Sequence, residues 1–133
     1  MLLEPQVAAV AALRADESDV VHLRSKVGEG RDARDRAACE QADNAFHRAV
    51  AETSRNPVLT GFLIYVSGAR RRVAWQREWD RTYRSIAPDE FQTIHSDQHD
   101  RVVDAIAAAD PRAAASAMTD HLKTIEAAML DKD

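Results

Sequence analysis

Asp43 and His47 stand one helical turn apart in a stretch from about Asp32 to Thr53 whose apolar residues recur at helical spacing. Ala38, Ala42, Ala45, Phe46, Ala49 and Val50 form its stripe, and Asp43 and His47 sit beside it on one face. A carboxylate taken out of water without a partner costs several kcal/mol. A fold that buries this stripe must therefore bring compensating groups to Asp43 from elsewhere in the chain. Two later helical segments carry histidines on their apolar sides, His99 and His121.

The rest of the chain predicts an all-α fold. Alanine and arginine are the commonest residues, β-branched runs are absent, and 133 residues suffice for one domain covering 1–133. Leu2 to about Ala15 reads as a first helix with Pro5 in its opening turn, where a missing N–H does no harm. Asp16 to Asp19 opens a second that runs through Val20, Leu23 and Val27 and is expected to stop at Gly28-Glu29-Gly30. His22 on it reads as a surface or partly buried residue without a metal role. After the Asp43 helix, Asn56 caps a fourth helix with Pro57 at its first position. Leu59, Phe62, Leu63, Val66 and Val73 mark its inner side, Gly61 and Gly68 suggest a bend or a close approach, and it should end near Trp79. Asp80 to Ala87 reads as a loop.

Pro88 opens a fifth helix with Phe91, Ile94, His95, His99, Val102 and Ile106 inside. Asp110-Pro111 starts a sixth, whose stripe of Ala114, Ala117, Met118, His121, Leu122, Ile125 and Met129 has the cleanest period in the sequence. So short a joint makes the last two helices antiparallel neighbours.

A lone histidine on an apolar face is ordinarily a core residue bonded to a carbonyl. Several such histidines joined to an Asp-x-x-x-His pair point instead to a metal centre. Imidazole and carboxylate suit zinc, nickel, manganese or iron, and spacing alone leaves His95 and His99 equivalent on the fifth helix. The other global features narrow the class. A net charge of −4 and a pI near 5.7 argue against a nucleic-acid-binding surface. No apolar run approaches the length needed to span a bilayer, and no leader opens the chain. The single cysteine, Cys39, reads as a small buried thiol and fits a reducing, cytoplasmic setting.

With these residues in hand the chain resembles the C-terminal effector domain of GntR-family transcription regulators of the FadR type, the FCD domain. The likeness runs from Leu3-Glu4-Pro5 with Ala11-Ala12, through Asp43-x-x-Phe46-His47 and Ser54-x-Asn56-Pro57-x-Leu59. It continues through His99, Ala105-Ile106 and Asp110 to Ala114, Met118 and His121-Leu122. The resemblance implies an antiparallel bundle of six to seven helices around a central metal and ligand cavity. It implies a divalent metal (zinc, nickel or manganese) on Asp43, His47, His99 and His121. His99 is preferred to His95 because it holds the family's place seven residues before Ile106. His95 becomes a neighbour of the site.

The resemblance further implies a small organic acid as effector, a homodimer, and an arginine from the helix after the Asn-Pro turn that grips the acid. Arg70, Arg71, Arg72 and Arg77 are available there, and Arg70 shares the inner stripe, so it is the expected effector-binding residue. The family's N-terminal winged helix-turn-helix is absent from these 133 residues, so DNA contact is expected only through such a module. Two other classes compete with this sensor. A small metal-dependent bundle enzyme acting on an acid or ester would use open metal positions to activate water or polarise a carbonyl. Against it, no Glu-x-x-His pair occurs and no lone carboxylate declares itself as a general base. A purely structural helical module would keep the histidines as packing residues.

Overall fold

The computed structural model describes residues 3–69 and 88–130. Among them the chain is all helical. α1 spans Leu3–Arg14, α2 Glu17–Asp32, α3 Arg36–Thr53 and α4 Pro57–Ala69. α5 begins with the turn Pro88–Glu90, passes through a π-helical turn at Phe91–His95 and continues as Ser96–Ala107. α6 spans Pro111–Leu130.

The helix boundaries follow local chemistry. Asp16 and Asp19 form a reciprocal capping box at the start of α2. Asn56 Oδ1 accepts from the amides of Val58 and Leu59, and Asp110 Oδ1 accepts from the amide of Ala113. Arg55 bridges two joints from a left-handed backbone position (φ 53°). Its guanidinium donates to the Arg14 carbonyl at 2.7 Å and to Asp19 at 2.7 Å, tying the α1–α2 turn to the α3–α4 turn.

Four expectations need correction. α2 does not stop at Gly28-Glu29-Gly30 but continues to Asp32, and α3 starts at Arg36 with Asp35 as its cap. The reason lies at Gly30, where a Cβ would come within 3.2 Å of the Phe91 ring and of Ser96 Oγ. Gly30 is there for close packing of α2 on α5, and that packing outweighs a helix penalty of about 1 kcal/mol. Gly61 marks no close approach, since nothing lies within 4 Å of its would-be Cβ. Phe62 and Ile94 point outward, 55% and 52% exposed; the π turn moves the apolar register of α5 by one position there. The expected loop at 80–87, the fourth helix beyond residue 69 and the expected termination near Trp79 fall outside the described residues.

α1 packs on α3, α5 and α6, while α2 packs on α3 and α5. Val7, Ala8, Ala11, Leu23, Val27, Phe46, Val50, Val102, Ile106, Ala114 and Met118 form the main core, and the many alanines let the helices approach closely. A smaller cluster gathers Ala33, Cys39, Ala42 and Phe91. Along α3 the two clusters lie on either side of Asp43. Outside the core, Arg24 pairs with Asp100 and Asp104, and Arg31 with Asp97. These half-exposed bridges are worth under about 1 kcal/mol each and chiefly fix the register of α5 on α2.

Candidate metal centre

The periodicity of three helices converges on one point. Asp43 and His47 come from successive turns of α3, His99 from α5 and His121 from α6, and one ligand atom from each lies within 4.8 Å of all the others. Asp43 Oδ1 stands 3.2 Å from His47 Nε2, 3.2 Å from His99 Nε2 and 3.9 Å from His121 Nε2. The Nε2 atoms of His99 and His121 are 3.1 Å apart. Two ligands about 2.1 Å from one cation stand about 3.0 Å apart at a right angle and about 3.4 Å apart at a tetrahedral one. The 3.1 and 3.2 Å spacings fall in that range, while the wider ones, 3.9 Å and up to 4.8 Å, would have to close slightly for one divalent ion to touch all four groups.

Burial and orientation complete the test. Asp43, His99 and His121 are 4%, 1% and 0% exposed. Phe46 stacks on the His99 ring at 4.1 Å and fixes its plane. His121 is set by a chain of hydrogen bonds. Thr124 Oγ1 donates to the Asp120 carbonyl at 3.2 Å and accepts from Gln98 Nε2 at 2.7 Å. That leaves Gln98 Oε1 facing His121 Nδ1 at 2.8 Å. An amide oxygen only accepts, so the proton sits on Nδ1 and the Nε2 lone pair faces Asp43 and His99. On the other side, His47 turns Nε2 to Asp43 and Nδ1 to Glu4 Oε1, 3.4 Å away on α1.

The protonation states suit a cation. Burial alone would raise the Asp43 carboxyl, but the charge of His47 and the polar rings of His121 and His99 close around it hold it well below the usual carboxylate range. Burial pushes His99 down to about 3 and also lowers His121. At neutral pH this gives an ionised Asp43 and neutral His99 and His121, the forms that bind metals.

Of the other residues singled out in the sequence, His95 is buried beside the cluster, its ring edge-on to His121 at 5.7 Å, and burial followed by His121 lowers it to about 4. His22 is exposed on α2. Cys39 is a buried free thiol, raised by burial and by the charges of Asp35 and Asp43, and so unreactive. Arg70, Arg71, Arg72 and Arg77 lie outside the described residues. The sequence reading missed Glu4 and Gln98. Glu4 could have been noticed as an acid sharing a helical face with Val7, Ala8 and Ala11; nothing in the sequence marked Gln98. Between α5 and α6 a groove of about 420 Å³ is lined by Gln98, Arg101, Asp104, Ala113 and Asp120, and it meets the cluster only through Gln98.

The family model for the FCD domain matches residues 1–124. The chain belongs to the FCD-domain family. The galactonate operon transcriptional repressor of Escherichia coli (strain K12) is 34% identical over 117 residues, 87% of this chain and 48% of the repressor. The HTH-type transcriptional regulator LutR of Bacillus subtilis (strain 168) is 31% identical over 126 residues, 94% of this chain and 56% of LutR. This FCD chain thus spans about half the length of the curated relatives it matches. The solved structure of E. coli McbR/YncC superposes with a TM-score of 0.80 over 99% of this chain and 64% of that one; at 16% identity it shows the shared all-α fold. These relatives place the FCD chain with the GntR-type transcription regulators.

Proposed function

We propose that this FCD domain is the effector-sensing and dimerising part of a bacterial, cytoplasmic GntR-type regulator, with a divalent metal in its core. Asp43, His47, His99 and His121 hold the ion, which is zinc, nickel or manganese. The convergence of their ligand atoms within 4.8 Å carries the reading. A metal in this position offers its remaining coordination sites to a small organic acid, with Arg70 as the proposed partner of the carboxylate. Two copies form a homodimer, and DNA is contacted only through a winged helix-turn-helix outside these residues. No helix among the described residues is long and apolar enough to cross a membrane. The relatives matched are regulators by name, which favours sensing over catalysis.

Within the chain, the work is positional. α3, α5 and α6 each contribute ligands, so an acid joining the centre reaches three helices at once. A ligand at about 100 times its Kd stabilises the bound form by about 2.7 kcal/mol, enough to redistribute packings a few kcal/mol apart. The test is thermal denaturation of zinc-, nickel- or manganese-loaded protein titrated with galactonate and other small hydroxy acids. A saturable upward shift is expected with at least one acid, and it should vanish after chelation. A shift of equal size in stripped protein would contradict the reading.

A further inference from the structure

Glu4 is the one carboxylate of α1 inside the fold. It is 7% exposed, in the first helical turn, and its Oε1 lies 3.4 Å from His47 Nδ1. It also lies close enough to His121 to act on that ring's charge. α1 supplies none of the four candidate ligands, yet it packs against all three helices that do. We propose that Glu4 is a positioning residue for His47 that makes the docking of α1's first turn depend on the metal. The inference rests on the metal reading above.

The chemistry is that of a histidine shared between a cation and a carboxylate. His47 presents Nε2 towards Asp43 Oδ1 at 3.2 Å and Nδ1 towards Glu4. A carboxylate at Nδ1 selects the tautomer whose Nε2 lone pair is free and raises the basicity of that nitrogen. A cation at Nε2 in turn makes Nδ1–H a stronger donor. The two effects are one coupling free energy, so any factor that Glu4 adds to metal affinity returns as the same factor favouring docked Glu4. Outer partners of this kind are worth about 10- to 100-fold in metal affinity. The first turn of α1 would thus be held tightly with metal and more loosely without it. Gln98 lacks this consequence, because it joins α5 to α6, which pack together in any case.

The test uses the purified chain with zinc as probe. Zinc affinity is measured by competition with a fluorescent chelator for the parent, Glu4→Gln and Glu4→Ala proteins. Hydrogen exchange across residues 3–14 is followed with and without zinc. The expected result is about 10-fold weaker binding for Glu4→Gln and up to about 100-fold for Glu4→Ala. In the parent, zinc should slow exchange at the start of α1; in Glu4→Gln that difference should shrink. Glu4→Gln keeps the shape of the side chain, so it reports even if Glu4→Ala fails to fold. Parent zinc binding retained in full by Glu4→Gln, or exchange in α1 indifferent to zinc in the parent, would overturn the coupling and leave the metal centre standing. A parent protein that binds no zinc, nickel or manganese would overturn both.

Discussion

At the scale of single residues, His121 shows how a buried imidazole is oriented as a candidate ligand. Its Nδ1 proton is fixed by Gln98, whose amide is itself oriented by Thr124. Gln98→Leu should weaken zinc binding about 10- to 100-fold, while Gln98→Glu, which still accepts from Nδ1, should bind at least as well as the parent. Competition with a chelator reads both. The same burial creates a pH dependence. His95 and His99 are pushed down to about 4 and about 3, against 6.5 when unfolded. Between 6.5 and those values the unfolded chain takes up protons that the native chain refuses, so stability falls as the pH drops through that window. At pH 5 the loss is about 2 kcal/mol for each imidazole. Asp43, whose carboxyl is held low, adds its own loss only in stronger acid, below its ordinary 3.8. Denaturant midpoints of chelated protein at pH 7, 6 and 5 should fall in sequence; a flat series would contradict the burial argument.

At the scale of elements, the sequence was most legible where a cap and a stripe agreed. Asn56-Pro57 and Asp110-Pro111 sit where a side-chain acceptor and a proline without an N–H both favour a helix start, and both helices begin there. Reading failed where a glycine had two meanings. Gly28 and Gly30 looked like one stop signal, yet both lie within α2, and only Gly30 has a neighbour that excludes a side chain. Gly28→Ala should therefore raise stability by about 0.5–1 kcal/mol. Gly30→Ala should not show that gain, because its Cβ would press on Phe91 and Ser96. Thermal melts of the two variants side by side check this. The π turn at Phe91–His95 was equally hidden, since a one-residue offset leaves no mark in a 3.6-residue pattern.

At the scale of the whole molecule, the all-α fold was legible because helical periodicity persists through every described segment. Gathering four ligand groups at one point was not fixed by spacing, which left His95 and His99 equivalent on α5. Family resemblance chose between them. The distinction is visible only in three dimensions, where His99 reaches Asp43 at 3.2 Å and His95 instead meets the edge of His121. The buried acid on α3 is what the three imidazoles are arranged around, and a cation shared among Asp43, His47, His99 and His121 is the proposed reason that so polar a cluster sits between two apolar cores. The most direct measurement is elemental analysis of the untreated purified protein beside His121→Ala, with thermal melts of both. We expect about one divalent ion per chain in the parent, a clear loss of that ion in the variant, and a lower melting temperature for it. A parent free of bound metal that also shows no thermal shift with zinc, nickel or manganese, or a variant with unchanged metal content, would contradict the account.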